Sequence, residues 1–307
     1  MTQPSVTGGP AGIPEQLRQA EIFASLHRRD DPLRLPNAWD VASAVTIASA
    51  GAKAIATTSA GVAWSLGLPD AADLGADRAA AVIGRITAAV RVPVSADIEA
   101  GYGPTPDAVA ATVTAVIRAG AVGLNLEDRS GRDDTPLFEP AEQAERLAAA
   151  RAAADGLAVP AWINARTDVF LTGTGHAQDR LEAALQRAAA YAAAGADSLF
   201  VPGLIDLEAI AVLAAGPLPV AVMAWAGAPT VTELASAGAV RISLGSAIAQ
   251  AAYAVAARAT TELLTGGTYN STANGIAYDR MNDALHSTRR AGLGSSHSQT
   301  VLAGPMS

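Results

Sequence analysis

The sequence contains no cysteine. That excludes disulfides, thiolate metal sites and a cysteine nucleophile, and it is compatible with a reducing cytoplasm, the expected location. Lysine is almost absent too, with Lys53 standing alone. Positive charge is short overall: Lys and Arg number 21 against 29 Asp and Glu, a formal net charge of −8. The arginines are scattered, so no basic face for nucleic acid is expected. Long apolar runs are missing, because the alanine-rich stretches are interrupted by charge within a helix length, and no membrane span is expected. Residues 1–13 lack both the basic residue and the apolar segment of a secretion signal. They read as a disordered tail. What the chain does have is apolar content, 50% of 307 residues, enough for one large α/β barrel.

Its patterning alternates strand and helix about eight times. Helical spacing over 14–29 predicts an N-terminal helix, with Pro14 in its first turn. Short apolar runs then predict strands at 33–37, 54–59, 93–99, 123–128, 160–166, 198–201, 219–225 and 240–244. Helices are expected between them, at 41–50, 77–90, 106–119, 140–154, 177–194, 207–215 and 231–237, followed by a long one at 246–264. The segment 61–75 reads as a loop. Ala-Gly-Ala recurs at helix-to-strand junctions, as expected where one short turn is solved repeatedly. This rhythm predicts a (β/α)8 barrel over 14–265, followed by a C-terminal helical extension and tail over 266–307, with one short helix near 277–285. An open doubly wound sheet would want a glycine-rich phosphate turn after the first strand, and none is present.

Barrel active sites sit at the C-terminal strand ends. The third expected strand, in Val92-Pro-Val-Ser-Ala-Asp-Ile-Glu-Ala-Gly-Tyr-Gly103, carries Asp97 and Glu99 there. Strand alternation would aim both the same way, which is costly unless a cation sits between them. Asn125 and Glu127 end the fourth strand, Asn164 and Arg166 the fifth, and Thr57, Thr58 and Ser59 the second. Asp97, Glu99 and Glu127 together suggest a hard oxygen site for Mg²⁺, with Mn²⁺ as the alternative. Arg166 offers a planar fork for a substrate carboxylate or phosphonate, and it could equally pair with Glu127. The Thr57–Ser59 turn offers hydroxyls and N–H groups to the same anion. Asn125 and Asn164 would support the site or touch substrate. Asp128 points away from Glu127 and reads as a partner for a helix. His176 reads as a helix-start residue. Lys53 lies at the wrong end of its strand for a Schiff base.

With these residues in place, the chain resembles the isocitrate lyase/phosphoenolpyruvate mutase family. The matching stretches are Pro36-Asn-Ala-Trp-Asp40, Thr57-Thr-Ser-Ala-Gly61 with Ser65-Leu-Gly-Leu-Pro-Asp70, Ala96-Asp-Ile-Glu-Ala-Gly-Tyr-Gly103, Gly123-Leu-Asn-Leu-Glu-Asp128 and Asn164-Ala-Arg-Thr-Asp168. The resemblance implies a barrel of the phosphoenolpyruvate/pyruvate-domain type and Mg²⁺-dependent C–C or P–C chemistry on small 2-oxo or 2-hydroxy carboxylates. Asp97, Glu99 and Glu127 would be metal residues, Asp70 would hold the metal's water shell, and Arg166 with Thr58 and Ser59 would hold substrate. Arg166, Asp70 and Glu127 would form the catalytic set. It also implies a homotetramer or homodimer with exchanged C-terminal helices.

The departures narrow the activity. The loop Asp128-Arg-Ser-Gly-Arg-Asp-Asp-Thr-Pro136 has no cysteine, lysine or histidine where the family's lyases carry a catalytic gate. Isocitrate cleavage is therefore not expected. Pro202 and Met223 make one side of the pocket less polar than in those lyases. Decarboxylation of an oxaloacetate-like acid through an enolate fits best, because no base need remove a proton. Retro-aldol cleavage would need Tyr102, Asp128, Arg129 or a metal-bound hydroxide as base. The alternatives are a P–C enzyme, hydrolase or mutase, and a non-catalytic 2-oxo acid binder.

Overall fold

The structure is a computed structural model and describes residues 13–293 except 73, 133 and 173–174. The expected tails at 1–13 and from 287 onward therefore lie largely outside the described residues. In chain order the elements are α1 Ile13–Ser25, β1 Leu33–Leu35, β2 Asn37–Ala38, α2 Val41–Ser49, β3 Ile55–Thr57, α3 Ser59–Ser65, α4 Ala76–Ala89, β4 Val94–Asp97, α5 Pro106–Arg118 and β5 Gly123–Glu127. They continue with α6 Pro140–Gly156, β6 Trp162–Arg166, α7 Ala177–Ala193, β7 Ser198–Phe200, α8 Leu207–Ala214, β8 Val220–Met223, α9 Val231–Ser236, β9 Ala239–Ser243, α10 Ala247–Gly266 and α11 Tyr278–Leu293.

All strand pairs are parallel, in the order β1-β9-β8-β7-β6-β5-β4-β3-β2. The first barrel strand, expected as one piece over 33–37, is divided at Pro36. Proline has no N–H to give to a ladder, so the segment pairs with β9 before it and with β3 after it. This one stretch closes the ring. The result is the expected (β/α)8 barrel, its first strand counted twice.

Local chemistry explains the elements. Asp40 caps α2 by accepting from Ser43 N at 2.7 Å, with the Ser43 hydroxyl answering at the Asp40 backbone. Thr105 caps α5, with Pro106 in its first turn. α3 occupies the start of the segment expected as loop over 61–75. Gly61 is required there by close approach: a Cβ would lie 2.8 Å from Thr58 Cγ2 and 2.9 Å from Trp39 Cβ. α1 closes the N-terminal end of the barrel. Phe23 fills the space in front of Gly123, and His27 stacks on Trp162 with centroids 4.0 Å apart.

α10 is exposed along nearly its whole length, apart from Ala249. The helix expected at 277–285 extends to Leu293 as α11 and packs against α2 and α4. Among the described residues no helix is long and apolar enough to cross a membrane.

Candidate active site

At the C-terminal end of β4, Asp97 is held from three sides. Its N–H donates to Thr57 Oγ1 at 2.8 Å. Ser59 donates to Asp97 Oδ2 twice, from its backbone N at 3.1 Å and its hydroxyl at 2.8 Å. Oδ1 is buried without a protein partner among the described residues. The Thr57 hydroxyl thus positions Asp97. Thr57 does not line the pocket, whereas Thr58 and Ser59 do.

Glu99 reaches the site differently from the expected alternation. β4 stops at Asp97, Ile98 is fully buried, and Glu99 turns back with φ of 50°. Tyr102 shares this left-handed conformation at 51°, and its hydroxyl donates to Glu99 Oε1 at 3.1 Å. Arg146 of α6 secures the turn by donating to the carbonyls of Ala100, Gly103 and Pro104. Burial, then repulsion from Asp97 and Asp70, raises the Glu99 carboxyl to about 7. Burial, followed by the charge on Glu99, raises the Tyr102 phenol well above its ordinary value, so Tyr102 is no base at neutral pH.

Glu127 is buried beneath Arg166, 2.9 Å from its Nη1. Asp168 takes the side-on fork of the same guanidinium, Nε at 2.6 Å and Nη2 at 2.9 Å. Burial opposes the arginine's charge, but Glu127 and Asp168 outweigh it and hold Arg166 protonated. Two of its N–H groups donate to Asp168, and Nη1 is ion-paired with Glu127. Burial pushes Glu127 up, Arg166 pulls it down, and Asp168, Asp97 and Glu99 push it up again.

Thr58, Ser59, Asp70, Asp97, Asn125 and Arg166 line a pocket of about 170 Å³. Its other wall is apolar, made by Leu171, Phe200, Pro202 and Met223. Asn164 lies below and donates to Asn125 Oδ1 at 2.8 Å, so it supports the pocket without lining it. Asp128 points away as expected, accepting from Arg187 at 3.0 Å and Tyr191 at 2.8 Å on α7. That removes it as a base. The loop after β5 is closed on itself by Ser130 N to Pro136 O at 2.9 Å and an isolated Arg129–Leu137 bridge. A roomier groove of about 400 Å³ lies beside Lys53 and Asp31, and none of the acids discussed above lines it.

Among the described residues no three His, Cys, Asp or Glu side chains are gathered as a metal cluster. Of the three expected metal residues, Glu127 lies against Arg166 and Glu99 accepts from Tyr102. The donor set still suits a hard cation. Asp97 keeps an orphan buried oxygen, and Asp97, Glu99, Glu127 and Asp168 all lie close enough to Arg166 to interact with its charge. Magnesium retains several waters and takes one or two carboxylates directly. Such an ion would be held by Asp97, with Asp70, Glu99 and Glu127 as the acids around it.

Sequence reasoning missed four contributors. Asp168 was signalled by standing two residues after Arg166. Asn37 lines the pocket and ties Thr57 O to Leu244 N. Arg146 and Arg241 are buried arginines, and for Arg241 its place in the apolar strand β9 is the one hint a sequence could carry.

The profile described as phosphoenolpyruvate phosphomutase matches residues 23–264. The chain belongs to this family.

Its relatives in the phosphoenolpyruvate phosphomutase family include an uncharacterised protein of Mycobacterium tuberculosis, 38% identical, covering 80% of this chain and 89% of that protein. 2-Methylisocitrate lyase of Salmonella typhimurium is 35% identical over 61% of this chain and 63% of the enzyme. A solved structure of a candidate lyase/mutase from Burkholderia cenocepacia J2315 is 40% identical, with a TM-score of 0.82 over 88% of this chain and 96% of that one. Oxaloacetate acetylhydrolase bound to its product oxalate superposes with a TM-score of 0.79 at 27% identity, covering 94% and 99%. The family is one of lyases and mutases on a TIM barrel, and this chain is an enzyme of that kind.

Proposed function

We propose that the protein is a Mg²⁺-dependent C–C lyase or decarboxylase acting on a small 2-oxo carboxylate of the oxaloacetate type. The observation that carries this reading is the pocket itself. Asp97, whose Oδ1 has no protein partner among the described residues, and the charged Arg166 both line a pocket of about 170 Å³ that also has an apolar wall. A pocket of that size suits a small acid.

A bound Mg²⁺ would supply the positive charge that a developing enolate needs. The rest falls to the chain's own groups. Arg166, kept charged by Glu127 and Asp168, holds a substrate carboxylate. Ser59 holds Asp97 in one orientation. Thr58 and Asn125 offer hydrogen bonds to the remaining oxygens. Phe200, Pro202, Leu171 and Met223 exclude water from the side where carbon dioxide leaves. Tyr102, held protonated, and Asp128, tied to Arg187 and Tyr191, are not available to remove a proton, which favours decarboxylation over retro-aldol cleavage. Final protonation of the enolate is left to solvent.

The same reading takes α10 as a helix exchanged between subunits of a homodimer or homotetramer. Tyr253, Val255, Leu263 and Leu264 are exposed on it, and light scattering of the purified protein tests for the oligomer. The activity is tested by pyruvate release from oxaloacetate with Mg²⁺ and with EDTA. Metal-dependent release is expected. A phosphorus NMR signal from phosphonopyruvate cleavage, with oxaloacetate untouched, would transfer the reading to P–C chemistry. Oxalate binding without turnover of either acid would make the protein a binder.

A further inference from the structure

A one-directional hydrogen-bond chain crosses the barrel interior beneath the pocket. Trp162 Nε1 donates to Ser198 Oγ at 2.8 Å. Ser198 Oγ donates to Asn164 Oδ1 at 2.5 Å, and Asn164 Nδ2 donates to Asn125 Oδ1 at 2.8 Å. From the opposite side, Arg241 Nη2 donates to the same Asn125 Oδ1 at 2.9 Å. An amide can usually be flipped without penalty in a structure. Here it cannot. Indole and guanidinium only donate, so both ends of the chain force the same polarity. The Asn125 atom facing Arg241 must be oxygen, and the Ser198 proton must go to Asn164. Among the described residues Asn125 Nδ2 has no protein partner, and Asn125 lines the pocket. The guanidinium of Arg241 is fully buried, and its Nε and Nη1 are also without protein partners. Among the described residues Asn125 therefore accepts the one protein hydrogen bond that the buried charge makes.

We propose that Arg241 and Trp162 are positioning residues that lock Asn125 with its amide NH₂ turned into the pocket, where it selects a ligand presenting an acceptor oxygen. This rests on the proposed 2-oxo acid reading for the ligand but not for the lock. A carboxylate or keto oxygen meets the NH₂ directly. A ligand group that can only donate meets an N–H and is rejected, because a desolvated donor without an acceptor is costly.

Two measurements test it. The first needs no ligand: thermal unfolding of wild type, Arg241→Met, Asn125→Ala and the double variant. The lock predicts non-additive stabilities, with Arg241→Met less harmful, or helpful, once Asn125 is alanine. Additive effects would overturn it. Should Arg241→Met not fold, Arg241→Lys with Asn125→Ala completes the same cycle. The second is calorimetry with oxalate and Mg²⁺. Asn125→Asp keeps an oxygen for Arg241 and Asn164 but replaces the NH₂ by an acceptor. It should hold the wild-type melting temperature or exceed it while binding oxalate about 10- to 100-fold more weakly, the range for a hydrogen bond to a charged group. Wild-type oxalate affinity in Asn125→Asp would overturn the donor role. If wild-type protein itself ignores oxalate, the functional reading fails, while the ligand-free cycle still decides the lock.

Discussion

Replacing Arg146 with methionine should move the metal-facing turn while leaving the barrel intact. The side chain is buried, lies 4.4 Å over the Phe138 ring, and donates to three carbonyls of the turn after β4. That turn holds Glu99 and Tyr102 at φ of 50° and 51°. Each left-handed non-glycine residue costs about 1–2 kcal/mol, so the clamp sustains strain of about 2–4 kcal/mol. Methionine keeps the packing on Phe138 and removes the donors. Three carbonyls losing a partner cost about 1 kcal/mol each in net terms. Removing a buried guanidinium whose Nε has no partner among the described residues returns part of that. The expected loss of stability is about 2 kcal/mol, limited because the turn can relax. Relaxation displaces Glu99, so Mg²⁺ affinity should fall while the apolar core is unchanged. Urea unfolding measures the first effect at constant m-value, and calorimetric titration with Mg²⁺ the second. Stability within about 0.5 kcal/mol of wild type, the range of a neutral surface change, would refute the clamp.

Asp97→Asn should abolish metal-dependent pyruvate release from oxaloacetate by at least about 100-fold while leaving the fold, as far-ultraviolet dichroism would show. Asp128→Asn should cost about 3 kcal/mol in urea unfolding, because it leaves buried Arg187 without its counter-charge; an unchanged midpoint would refute that. His27 is held neutral by burial and then by Arg241, its value lowered to about 3. Its folded value lies below the unfolded one of 6.5, so stability is complete above that pH. It falls below it by up to about 1.4 kcal/mol per pH unit until the ring protonates. His27→Phe, which keeps the stack on Trp162, should flatten that slope in unfolding curves taken from pH 7 to pH 4.

Much of this was legible from local pattern. Apolar runs, helix caps and the Ala-Gly-Ala turns each depend on neighbours within a few residues, so the alternating barrel could be read directly. Knowing the barrel placed Asp97, Glu127 and Arg166 at its active end, since strand ends follow from strand assignments. Glu99 shows the limit of that logic. It faces the site, but through a left-handed turn that Arg146 imposes from α6, and alternation along a strand carries no information about such a clamp. Asp168 and Glu127 share Arg166 for a similar reason: the sequence shows the three charges but not how one guanidinium divides its N–H groups.

The sequence by itself determined the fold class, the absence of sulfur chemistry and the types of residue at the strand ends, because composition and period-2 and period-3.6 patterning are local properties. Tertiary structure alone decided the division of the first strand at Pro36, the orphan oxygen of Asp97 and the orientation of Asn125. Arg241 and Asn125 are 116 residues apart in the chain. Only closure of the barrel, which brings β9 beside β1 and across from β5, lets one fix the polarity of the other.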